Sequence, residues 1–289
     1  MSSTTRRNFV VQSAALLSAA RVLSAHDPLR ASDLGVQLYT VRNTLTKEPA
    51  KDLKAIEDIG YKEVEVVYAT LEAIWPALQQ TQLKAVSAHV DTALFMEGGG
   101  KLDDAIGSLK QKGFSFIVLP YVPPSERGGA DTFKHLAEVL NKAGAKAKAA
   151  GLTCCYHNHA FEFEPMDGTT GLDIMLAATD KNLVHLELDI FWVSVAGHDP
   201  VELMKKYSNR IALLHLKDKA AGLPVQFNEN VPKPTFKEIG NGSIDIPAVL
   251  AAAKHMPIKN YFVEQDQTPG DPIDSLRQSY TYLSSHFSK

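Results

Sequence analysis

A chain of 289 residues can bury one large core, and α/β barrels of this length commonly form a single domain. The formal charge of −3 gives no electrostatic reason to expect nucleic acid or an anionic membrane as a partner. The two cysteines, Cys154 and Cys155, are adjacent in an apolar run, where neighbouring residues face opposite ways, so they read as reduced core thiols and not as a disulfide.

The chain opens with Arg6-Arg7-Asn8-Phe9, an apolar stretch from Val11 to Leu23, and Ser24-Ala25. A charged start, a short apolar middle and small residues at the end make residues 1–25 an expected export signal, too short for a spanning helix. The paired arginines followed by Phe resemble the twin-arginine signal of bacteria, which implies delivery of a folded protein to the periplasm.

One unit then repeats. A helical segment ends in Gly60, Gly113 or Gly151 and an apolar run follows, the pattern of a left-handed helix cap leading into a strand. Eight strands are expected: Gly35–Tyr39, Glu63–Val67, Lys84–His89, Phe114–Pro120, Thr153–His157, Leu183–Asp189, Ile211–Leu216 and Tyr261–Glu264. Helices are expected between them at Thr132–Ala150, Asp199–Tyr207 and Ile246–His255, with a last one from Pro272 to about Ser285. Asp245 reads as a helix N-cap. Eight strand–helix repeats imply a single closed (β/α)8 barrel over residues 32–289. A doubly wound open sheet fits less well, because no Gly-rich phosphate loop follows an early strand. The irregular segment Ala220–Gly240 suits a loop over the active-site face.

The chemistry is expected where those strands end. Glu162, Asp189, His215 and Glu264 close or follow the last four apolar runs, and a charge ending a buried strand is costly unless it meets a partner. Two or three carboxylates with one imidazole suit a single divalent ion, Mn²⁺, Mg²⁺, Co²⁺ or Zn²⁺. The fifth run, Tyr156-His157-Asn158-His159, is unusually polar. Alternation sends His157 and His159 to one face, where they could carry protons or donate to substrate hydroxyls. His157 also competes with Glu162 as the fifth-strand ligand, and that choice stays open. Gln37, Tyr39, Arg42, Glu65, His89 and Lys217 add polar groups suited to substrate recognition, and Glu187 should lie one layer below Asp189.

LGVQLYTVR, SAHV, YHNHAFEF, LELDIFWV, LLHLKD, GNGSID and FVEQD together resemble the sugar phosphate isomerase/epimerase family of xylose isomerase-like TIM barrels, over nearly everything from Ser32 onward. The resemblance implies one metal held by Glu162, Asp189, His215 and Glu264. The chain departs from the family where many epimerase relatives carry a strand-five Glu and this one has His157. The expected function is therefore a metal-dependent isomerase, epimerase or lyase acting on a free sugar, keto-sugar or glycoside. Glu162 or Glu264 would remove the proton beside a carbonyl, and His157 or His159 would carry it. The partner is a small carbohydrate, and self-association stays open. Two rivals are an endonuclease IV-like nuclease, which would need more metal ligands and basic strips, and a periplasmic sugar-binding protein, which would not need converging ligands.

Overall fold

The structure, a computed structural model, describes residues 34–286; the leader expected over residues 1–25 lies outside them. Eight parallel strands close into a barrel: β1 (Leu34–Gln37), β2 (Glu63–Val67), β3 (Lys84–His89), β4 (Phe116–Leu119), β5 (Thr153–His157), β6 (Val184–Asp189), β7 (Ile211–Leu216) and β8 (Asn260–Val263). Each pairs with its predecessor in the chain. β1 closes on β8, with Leu34 opposite Tyr261 and Val36 opposite Val263. Helices follow the strands as α1 (Pro49–Ile59), α2 (Leu71–Leu78), α3 (Gly100–Gln111), α4 (Ala130–Ala150), α5 (Gly171–Ala178), α6 (Pro200–Lys206), α7 (Ile246–Ala253) and α8 (Pro272–His286). Among the described residues no helix is long and apolar enough to cross a membrane.

The punctuation expected from the sequence operates as read: Gly60, Gly113 and Gly151 all take positive φ after α1, α3 and α4, and Asp245 caps α7 by accepting a backbone N–H. Asp199, expected as the first residue of a helix, instead caps α6. The fourth strand is shorter than expected and the eighth lies one residue earlier, so Glu264 stands one residue past the end of β8.

Two apolar regions hold the molecule together. The larger one packs the outer faces of the strands against the helices, with Leu34, Val64, Ile117, Cys154, Leu186 and Leu214 among its members. A smaller one, with Phe116, Val118, Cys155, Leu213 and Phe262, plugs the barrel interior. Cys154 and Cys155 therefore face opposite ways and both thiols are free; burial pushes the Cys154 thiol up to about 12. The interior face is what positions the site. Two residues further along, Cys155 gives way to His157, Leu213 to His215 and Phe262 to Glu264. The apolar plug thus becomes a polar layer toward the C-terminal mouth.

Candidate active site

A cavity of about 510 Å3 opens at the C-terminal mouth of the barrel. His89, His157, His159, Lys217, Glu264 and Asp266 supply its polar lining, while Val67, Tyr121, Trp192 and Phe236 supply apolar walls. Trp192 comes from the short helix Ile190–Val195 that Asp189 caps by accepting the Trp192 N–H at 2.9 Å. Phe236 and Glu229 come from the Ala220–Gly240 segment, which lies over this face as expected.

Four donor groups converge at the cavity floor. Ligand atoms of His157, Asp189, His215 and Glu264 lie within 4.8 Å of one another, and all four residues are buried. His157 Nε2 is 3.3 Å from Asp189 Oδ2, and His215 Nδ1 is 2.9 Å from Glu264 Oε2. His157 Nε2 and Asp189 Oδ2 find no hydrogen-bond partner of acceptable geometry, although both are buried. Buried polar atoms without a hydrogen bond are costly, so two facing one another in a set of imidazole and carboxylate donors fit a divalent cation. Lys217 adds a charge beside them, with Nζ 3.0 Å from Asp189 Oδ2, 2.6 Å from Glu264 Oε2 and 2.8 Å from Asp266 Oδ1. Only the last is a directed hydrogen bond. Burial would raise the pKa values of Asp189 and Glu264, but Lys217 and the neighbouring imidazoles outweigh it and hold both carboxyls well below the usual range.

Glu162, expected in this set, is placed elsewhere. β5 ends at His157, the chain turns, and Glu162 falls in the 3-10 turn Phe161–Phe163, outside both the converging group and the cavity lining. Its carboxylate accepts the Tyr156 hydroxyl at 2.6 Å and the His159 backbone N–H at 2.9 Å. It braces the turn that presents His159, and His157 occupies the fifth-strand position among the donors. Burial pushes the Glu162 carboxyl up to about 7, the tyrosine hydroxyl and backbone N–H opposing it in part.

A second polar layer lies beneath. Glu65 accepts Gln37 Nε2 at 2.8 Å and Ser87 Oγ at 2.5 Å, while His89 Nε2 stands 3.0 Å from Glu65 and 2.6 Å from Glu187. His215 Nε2 points the same way, 2.7 Å from Glu65 and 3.3 Å from Glu187. Burial opposes the charged form of His215, but Glu187 and Glu65 outweigh it and raise its pKa well above the ordinary range. Glu187 sits below Asp189, as alternation requires. Of the residues expected to contact substrate, Tyr39, Arg42, His89 and Lys217 reach the cavity; Gln37 and Glu65 do not line it and belong to the buried layer. Arg42 is engaged, donating to the carbonyls of Tyr39 and Asp266.

His159 completes the lining. Its Nδ1 is buried without a partner, its ring lies 5.2 Å from Trp192, and burial, then the charges of His157 and Lys217, push its pKa well below the ordinary range. It is a neutral imidazole facing the cavity. Trp192 and Asp266 are the residues that sequence reasoning passed over. Asp266 was findable, two positions after Glu264 and hence on its side of the chain; Trp192 was not, because its place depends on the turn after Asp189.

The family described as xylose isomerase-like TIM barrel matches residues 101–286. An inosose dehydratase of Clostridium perfringens is 31% identical over 163 residues, 53% of this chain and 54% of that protein; the chain spans about half the length of the curated relatives it matches. A sugar phosphate isomerase/epimerase from Parabacteroides distasonis superposes with a TM-score of 0.72 at 23% identity, covering 89% of this chain and 95% of that one. An IolI protein with a bound zinc atom superposes with a TM-score of 0.68 at 15% identity, covering 88% and 97%. These two structural likenesses concern the fold.

Proposed function

This chain belongs to the xylose isomerase-like TIM barrel family, and from that premise we propose that it is a divalent-metal-dependent enzyme of the isomerase, epimerase or lyase type, acting on a free sugar, keto-sugar or glycoside. The observation that carries this reading is the convergence of His157, Asp189, His215 and Glu264 at the cavity floor, where His157 Nε2 and Asp189 Oδ2 face each other without a hydrogen bond. These four residues would hold the ion, which when bound supplies Lewis acidity to a carbonyl and its neighbouring hydroxyl.

The chain's own groups then divide the work. Trp192, Tyr121 and Phe236 offer apolar surface to the C–H faces of a carbohydrate and keep water from the reacting carbon. Lys217 and His89 are cavity donors for substrate oxygens. Glu264 is engaged, as one of the four donors and by Lys217 Nζ at 2.6 Å. His159, whose neutral ring lines the cavity, is the group suited to take the proton beside the carbonyl. Glu162 supports this by fixing the turn beneath it. A relative named inosose dehydratase favours elimination of water within the proposed range. Transport to the periplasm by the Arg6-Arg7 signal belongs to the same proposal, and points to a substrate without phosphate.

The test joins metal to proton chemistry. Purified protein should take up one equivalent of a divalent metal, and Asp189→Ala should lose metal and activity together. Incubation with keto-sugars or inososes in heavy water should place deuterium beside the carbonyl, read by NMR. Full metal retention in Asp189→Ala would remove Asp189 from the site, and absence of exchange with every such compound would favour a binding protein.

A further inference from the structure

Lys217 is an awkward residue to find in a metal site. Its ammonium is buried, and it touches the oxygens of Asp189 and Glu264 that face the other two donors. A divalent ion held by those oxygens would stand beside a fixed positive charge, in a place where salt screens poorly. The ammonium has a third acceptor as well. Its one directed hydrogen bond goes to Asp266 Oδ1 at 2.8 Å, and Asp266 lines the cavity above. Without such a cation, Asp189 and Glu264 would be two buried carboxylates close together with only imidazoles to answer them, a costly arrangement.

We propose that Lys217 is the resident cation of this site. It neutralises Asp189 and Glu264, and is handed over to Asp266 when an ion enters. The inference rests on the metal-dependent reading above and deepens it in two ways. Metal affinity is held down by a competitor built into the chain, so the ion is exchangeable. The ammonium also changes employment on loading: released from the ligand oxygens, and held by Asp266 at the cavity wall, it becomes free to bind a substrate oxygen. Lys217 would then report to the substrate pocket whether the metal is in place.

The experiment measures Mn²⁺ binding alone by calorimetry on the purified chain, with no substrate present. Lys217→Met should bind Mn²⁺ at least about tenfold more tightly than wild type, because a like charge next to the ion has been removed. Asp266→Asn should bind it more weakly, since the ammonium has lost its alternative acceptor. In the double variant that weakening should largely vanish, because there is no ammonium left to accommodate. Equal or weaker binding by a folded Lys217→Met would overturn the proposal and leave Lys217 as a brace for the ligand carboxylates. Lys217→Gln serves the same comparison if the Met variant does not fold. A structure of the Mn²⁺-loaded wild type gives a check that needs no variant: Lys217 Nζ still in ion-pair contact with Glu264 would also overturn it. Failure of the wild type to bind Mn²⁺, Mg²⁺, Co²⁺ or Zn²⁺ would be a different result, sinking the metal-dependent reading itself.

Discussion

His159 and Glu162 are three positions apart and do opposite things with a proton. The His159 ring lines the cavity, so His159→Gln should keep the bound metal while cutting solvent exchange by about 10²–10⁴-fold, the usual contribution of a general base. Exchange at the wild-type rate in a metal-loaded His159→Gln would move the base to Glu264 or His89. Glu162 is expected to matter to stability. Burial pushes its folded pKa up to about 7 from the ordinary 4.5, so the folded chain holds a proton that the unfolded chain releases earlier. That contribution is fully present below the unfolded value and is lost as pH rises toward 7, amounting to about 3 kcal/mol across the window. Glu162→Gln should flatten this dependence while leaving the metal in place. Urea unfolding at pH 5 and pH 8 reads it out, and an unaltered pH slope in the variant would refute the assignment.

At the scale of elements, one carboxylate organises the connection after β7. Asp218 accepts the backbone N–H groups of Lys219 and Ile244 on Oδ1, and of Gly240 and Gly242 on Oδ2. A Cβ at Gly242 would stand 2.1 Å from Asp218 Oδ1, which is why the approach requires glycine. The segment that brings Phe236 and Glu229 to the cavity is tied down at both ends by this clamp. Asp218→Ala leaves four amides without their acceptor and should cost about 3 kcal/mol, seen as a lower urea midpoint with a raised KM; an unchanged midpoint would show that water replaces the carboxylate. The clamp also shows where sequence reasoning stops. The glycine caps and the Asp245 N-cap could be read directly, because each depends on residues within a few positions of one another, and the strand order followed from counting eight strand–helix repeats. Glu162 could not be placed, because Phe161-Glu162-Phe163 keeps the alternation of a strand while the backbone has already turned at Asn158–Ala160. His157 was legible as an alternative for the reason that proved structural, being the last residue of β5. Gln37 and Glu65 read as rim residues because alternation gives the face of a strand and not the depth, which depends on how neighbouring strands are staggered in the closed barrel.

For the whole molecule, the ring of eight strands means that the site exists only once β1 has met β8. A protein exported after folding would cross with that ring complete and its donors already assembled. Replacing Arg6 and Arg7 by Lys should therefore retain a folded, metal-competent protein in the cytoplasm of a bacterial host, since that signal is read through its guanidinium pair. Fractionation checks it, and unchanged periplasmic delivery would refute twin-arginine transport while leaving the proposed chemistry untouched. The buried layer of Glu65, His89, Glu187 and His215 carries a consequence of another kind. Its members come from four strands and are up to 150 positions apart in the chain, yet each answers the charge of another. Replacing one alone abandons a partner in the barrel interior, at a cost that no neighbour on its own strand can repair. The quartet should therefore tolerate change only as a set: a second substitution at a facing member, on another strand, should recover part of the stability that the first one loses.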